Sequence, residues 1–175
     1  MNLNKMIKCF ITLGSVWVST ACSSFVPSVE EKEYVKDAPE SVRNAFQVRH
    51  PNQKVVFYKI LEASDTTYEA EFSDGNKNRS ETYLTNGKLV EQEVEVHISE
   101  IPEPISKIVL QDLRSRYESV NIYSLQAVEV GSERSYEFKI KTSKSKTGIM
   151  EVYYELNGQW KSEAPFQSKP IQNLN

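Results

Sequence analysis

From residue 37 onward, the spacing of apolar residues switches between two periods. Val42, Ala45, Phe46 and Arg49 fall at i, i+3, i+4 and i+7, which predicts an amphipathic helix opened by Pro39 and closed before Pro51. The period then drops to two. Lys54 to Leu61, Thr67 to Ser73, Arg79 to Leu84 and Lys88 to Ile98 read as strands. The same order returns further along: Pro102 opens a helix carrying Ile105, Ile108, Val109, Leu113 and Tyr117 at helical spacing. Strands follow at Val120 to Val130, Arg134 to Lys141, Ile149 to Leu156 and Gln159 to Ser162.

Tyr68-x-Ala70-x-Phe72 matches Tyr136-x-Phe138-x-Ile140, with charged residues between, so each strand has one buried face and one wet face. Asn86-Gly87 and Asn157-Gly158 predict two-residue type I′ hairpins closing the last two strands of each half. The predicted class is α+β: two tandem repeats, each a helix followed by a four-stranded antiparallel meander, over 37–98 and 99–166. A unit of this size buries only ~60% of its unfolded surface and is marginal alone. The expected arrangement sets the two sheets edge to edge, with both helices on one face and the other face open.

The ends of the chain read differently. Lys5 and Lys8 precede the mostly apolar run Cys9 to Val18, a tripartite export leader too short for the ~20 residues of a membrane-spanning helix. Val18-Ser19-Thr20-Ala21-Cys22 resembles the lipobox of bacterial lipoproteins, which implies cleavage after residue 21 and lipidation of Cys22. Ser19 stands where that motif usually has Leu, so plain cleavage to a soluble periplasmic protein stays open. Ser23 after the cysteine, by the sorting pattern of such lipoproteins, implies the outer membrane. Residues 22–36 carry no clean period and are expected to be a tether, and 167–175 a flexible tail.

The 175 residues hold 21 Lys+Arg, 24 Asp+Glu and two cysteines. Removing residues 1–21 takes away Lys5, Lys8 and Cys9, leaving 19 basic residues, a net charge of 19 − 24 = −5 and Cys22 as the lone cysteine. A structural disulfide is then excluded, as is a four-cysteine zinc site, and the acidic balance offers no footprint for nucleic acid.

The string from Ala38 to Ile60 (APESVRNAFQVRHPNQKVVFYKI), with YEAEF at 68–72 and YLTNGKLVEQEVEV at 83–96, resembles the PepSY-like domain of β-lactamase-inhibitor-like bacterial lipoproteins. The match is good over 37–98 and looser over 100–166, where Trp160 stands in the place of Leu89. The resemblance implies the layout of β-lactamase inhibitor protein, a non-enzymatic binder that grips its target with the open, concave face of its sheets.

Chemistry-bearing motifs are sparse. His50 and His97 sit in different elements with no cysteine nucleophile, Gly-x-Ser-x-Gly elbow or ligand-spaced partner, so no catalytic residue, metal ligand or cofactor is expected. Glu91, Glu93 and Glu95 alternate along one strand as an acidic ribbon, which reads either as a solvated face or as a docking stripe for a basic partner. The basic run from Lys139 to Lys146 reads as an exposed hairpin loop or a contact for anionic lipid. Tyr58, Tyr83, Tyr153 and Trp160 lie on strands and are the candidate binding anchors, if alternation turns them to the wet face. The expected function is a lipid-anchored, non-enzymatic binder of a protein or peptide in the cell envelope. Two alternatives stand beside it: an assembly lipoprotein of an envelope complex, and a hydrolase whose site would require His50 or His97 beside a carboxylate and a hydroxyl.

Overall fold

The computed structural model describes residues 31–62, 65–146 and 148–166. The leader with Cys22, the first part of the expected tether and the tail 167–175 lie outside the described residues. The elements run β1 (Glu31–Val35), α1 (Glu40–Arg49), β2 (Val55–Glu62), β3 (Asp65–Asp74), β4 (Lys77–Leu84) and β5 (Leu89–Glu95). A single 3-10 turn (Ile98–Glu100) then leads into α2 (Glu103–Arg116), β6 (Asn121–Val130), β7 (Glu133–Lys141), β8 (Ile149–Glu155) and β9 (Trp160–Pro165). All nine strands of the described residues form one antiparallel sheet in chain order, with β5 paired to β6. No described helix is long and apolar enough to cross a membrane.

Both helices begin at a proline, Pro39 and Pro102, with Glu40 and Glu103 in the first turn, where an acidic side chain suits the helix dipole. The apolar stripe of α1 buries Val42 and Phe46 against Phe57, Ala70, Phe72 and Tyr83. Phe46 meets Phe57 and Phe72 edge-on, at centroid distances of 5.9 and 5.1 Å. Burying one such ring contributes about 1.5–3 kcal/mol. The second stripe buries Val109 and Leu113 among Leu125, Phe138, Ile140, Val152 and Tyr154. The ladder carries Phe57 to Ala70 to Glu81 to Gln92, and Val94 to Ala127 to Tyr136 to Tyr154. Since directly opposed residues share a side, the residues that touch α1 and those that touch α2 lie on the same side of the sheet.

Two expectations need correction. Part of the predicted tether is an edge strand: β1 pairs with β2 from Glu31↔Leu61 to Val35↔Phe57. Its sequence, Glu-Lys-Glu-Tyr-Val, lacks an apolar alternation, and the partners that hold it come from elsewhere: the free edge of β2, and Glu69 and Glu71 of β3 for Lys32. The Asn-Gly hairpins also differ from type I′, which needs positive φ at two residues. Here Gly87 (φ +84) and Gly158 (φ +88) are positive, while Asn86 and Asn157 are not. Gly87 N–H donates to Leu84 O at 2.8 Å and Leu84 N–H to Lys88 O at 2.9 Å, a type I turn followed by a left-handed glycine. Asn86 Oδ1 accepts from Lys88 N–H, and the second hairpin repeats these bonds.

Candidate functional site: the open face of the sheet

Strand alternation turns a second set of side chains away from the helices. Tyr58, Glu69, Thr82 and Glu91 form one rung; Val56, Glu71, Ser80 and Glu93 form the next. Beyond β5 the face continues through Gln126, Glu137, Lys139, Glu151 and Tyr153. A hollow of about 690 Å³ lies over it, lined among others by Lys32, Glu69, Glu93, Tyr123, Gln126 and Lys139. In a flat sheet β1 and β7 would stand about 29 Å apart, at ~4.8 Å per strand, so their sharing of one hollow reflects the curvature of the twisted sheet.

The charges on this face are arranged in three bands. At one end Lys32 Nζ lies 2.8 Å from Glu69 and 2.6 Å from Glu71, and 4.4 Å above the Tyr58 ring. At the other, Lys139 Nζ lies 3.1 Å from Glu137 and 3.5 Å from Glu151. Each lysine is thus shared by two carboxylates. Between them, Glu91, Glu93 and Glu95 of β5 form no ion pair with a cation among the described residues. Ser80 Oγ and Gln126 Nε2 donate to Glu93 Oε2 at 2.8 and 2.9 Å, and Asn78 Nδ2 donates to Glu95 at 2.6 Å.

Burial, with Glu93 beside it and Glu137 and Glu69 nearby, pushes the Glu91 carboxyl up to about 8. Glu137 rises to about 7: burial and the neighbouring Glu93 and Glu151 outweigh Lys139. Glu69 is raised chiefly by burial, against the pull of Lys32. Burial and the surrounding carboxylates also hold the Tyr153 hydroxyl well above the ordinary phenol range.

The four aromatic candidates divide between the two sides. Tyr58 and Tyr153 are partly buried on the open face. Tyr83 is not an exposed anchor: it is fully buried on the helix side, beside Tyr68. Trp160 is 37% exposed but also turns to the helix side, where Arg116 stacks 4.8 Å from its ring centroid. The cause is a β-bulge. Tyr153 pairs with Ser162 and Tyr154 with Trp160, so the unpaired Lys161 between them reverses the alternation. An equivalent bulge opposite Tyr83 turns Leu89 inward. Sequence reasoning also missed Tyr123, which lines the hollow at 61% exposure; the bulge beside it, between Ile122 and Ser124, has no sequence signature.

His50 does stand beside a carboxylate and a hydroxyl, and the arrangement is a tie between helix and sheet. Glu81, 3% exposed, accepts from Arg49 Nη2 at 2.9 Å and from Tyr83 Oη, with His50 Nε2 3.0 Å away. The Tyr83 hydroxyl points its proton at Glu81, and burial with that bond raises it far above the neutral range, so it offers no nucleophile. His97 Nδ1 lies 2.7 Å from Ser99 Oγ and accepts from Ser99 N–H, as the cap of the 3-10 turn. The basic run is engaged as well: Lys139 enters the hollow, Lys141 lies 5.5 Å from the Tyr123 ring centroid, and Lys144 reaches the carbonyl of Arg116. No described group of three or more His, Cys, Asp or Glu is placed to hold a metal ion.

No protein-family model matches the sequence, and no curated protein is similar enough to count as a relative. Solved structures do match in fold. A DUF2874 family protein from Bacteroides ovatus is similar at TM-score 0.59 with 12% identity, covering 81% of this chain and 96% of that one. A candidate periplasmic protein from Bacteroides eggerthii matches at 0.58, with 12% identity over 75% of this chain and 91% of its own. A BLIP-like protein from Bacteroides fragilis matches at 0.56, with 12% identity over 79% and 94%. The chain therefore has a BLIP-like fold, as its resemblance to that group implied.

Proposed function

We propose that this chain is an exported, lipid-anchored, non-enzymatic protein that docks a protein or peptide partner of the cell envelope on its open sheet face. The observation that carries this reading is the hollow of about 690 Å³, on the side of the sheet away from both helices. A curved strand face with buried charges and exposed aromatic rims is a pre-formed surface, so little conformational entropy is lost when a partner seats. The BLIP-like fold of a Bacteroides neighbour and the periplasmic description of another support an envelope setting. We also read 37–98 and 99–166 as two copies of one unit. Each helix precedes four strands, and each half repeats the Asn-Gly turn, the bulge and a buried tyrosine bonded to a carboxylate.

Photo-crosslinking amino acids at Val56 and Tyr123 test the docking face, against Val48 and Ile108 on the outer surfaces of the helices. Adducts from the first pair alone are expected, and adducts from the helix positions alone would reject the reading. Cys22→Ser is expected to move the protein from the membrane to the soluble fraction; retention in the membrane would reject the anchor.

A further inference from the structure

The charge bands of the open face specify what kind of segment fits there. Lys32 and Lys139 are each shared by two carboxylates, and neither forms an ion pair with the central strand, although the Lys139 charge is felt at Glu93. Glu91, Glu93 and Glu95 then stand in a row on one side of β5 with no ion pair among the described residues; Glu93 and Glu95 line the hollow, and Glu91, beside them, keeps its proton up to about pH 8 unless a cation is seated against it. Alternate residues of an extended chain repeat every ~6.8 Å, so a second extended segment laid along β5 presents its own alternate side chains at that pitch. Around the row the hollow offers apolar rims at Val56, 42% exposed, and Tyr123, 61% exposed. These suit the aliphatic stems of long basic side chains, and Tyr123 also offers a ring face to a cation. An acidic segment would meet like charge at Glu93 and Glu95.

We propose that the segment docked on the open face is an extended, basic stretch of a partner protein, with Lys or Arg at alternate positions seated against Glu91, Glu93 and Glu95. This rests on the docking reading above and adds the chemistry of the partner. Complementary charge in a partly desolvated trough sets register and partner choice, and it makes binding salt-dependent.

The test uses the purified protein, labelled with nitrogen-15, and three capped heptapeptides: Ser-Lys-Ser-Lys-Ser-Lys-Ser, its glutamate counterpart and its all-serine counterpart. The lysine peptide is expected to shift amide resonances of β4, β5 and β6, and to bind more weakly in 0.5 M than in 0.05 M salt. Glu91→Gln, Glu93→Gln and Glu95→Gln together are expected to weaken it about tenfold, as the loss of three part-exposed pairs implies. The control set Glu40→Gln, Glu103→Gln and Glu118→Gln, all exposed positions off this face, leaves it unchanged. A thermal melt confirms that the triple variant is folded. Binding of the lysine peptide to the helix side, no binding, or equal binding of the glutamate peptide would overturn the proposal. A crosslinked partner whose contact segment is not basic would overturn it too while leaving the docking reading intact; absence of any open-face adduct would remove both.

Discussion

A Cβ atom on Gly87 would stand 2.5 Å from the carbonyl oxygen of Ser41, so the first Asn-Gly turn lies directly against the backbone of the first helix turn. Ser41 Oγ also donates to Thr85 O at 2.6 Å. Gly158, its counterpart, faces only side chains: a Cβ there would meet Ile108 Cγ2 at 3.3 Å. Both glycines have positive φ, which costs an L-residue ~1–2 kcal/mol. Gly87→Ala adds a clash with backbone that cannot rotate away, so it is expected to lose about 2–4 kcal/mol, against about 1–2 for Gly158→Ala. Denaturant titration of the two variants checks the order; equal losses would mean that the turn does not bear on α1.

Glu81 is the buried hub of the first half. Burial alone would raise its carboxyl, but the bonds from Arg49 and Tyr83, with the His50 ring close by, win and hold it below the usual range. A lowered carboxyl contributes stability that is present above the unfolded value near 4.5 and is lost as pH falls through its folded value. Glu81→Gln is expected to cost about 1–2 kcal/mol at pH 7 by removing the charged partner of Arg49, which is 41% exposed and keeps its bond to Gln92, and to flatten the acid limb of the stability curve. An unchanged acid limb would assign that limb to other carboxylates.

The open-face carboxylates have the opposite sign. Glu91 and Glu137, raised to about 8 and about 7, keep protons in the folded chain that the unfolded chain has released above about 4.5. Their stabilising contribution is complete below about 4.5 and disappears as pH climbs through 7 and 8. Glu91→Gln is therefore expected to gain on the order of 1–2 kcal/mol at pH 8.5 and almost nothing at pH 4.5. Melting curves at the two pH values measure it; the same gain at both would show that relief of like charge is not the cause.

Trp160 and Tyr123 separate exposure from placement. Both are exposed, but Trp160 lies on the helix side under Arg116, and Tyr123 lines the hollow. Trp160→Ala is expected to cost about 0.5–1 kcal/mol of stability from the lost stacking and to leave partner capture intact. Tyr123→Ala should do the reverse, weakening capture with little change in melting. Equal capture by both variants would argue against the open face.

From residue 37 onward the order of helices and strands, the helix starts at Pro39 and Pro102, and the stripes Val42–Phe46 and Val109–Leu113 were legible in the amino-acid order, because period and proline act over neighbours in the chain. So was the acidic row along one side of β5. What depends on partners distant in the chain was settled by folding. The charged segment Glu31–Val35 became a strand because β2 had an open edge and Glu69 and Glu71 lay within reach of Lys32. Two bulges reversed the alternation at Leu89 and Trp160, moving a candidate anchor to the other side of the sheet. Curvature brought Lys32 and Lys139, from strands β1 and β7, around one hollow. Strand period counts residues along one chain, whereas bulge, edge and curvature are set by the competition of neighbouring strands for hydrogen bonds and packing.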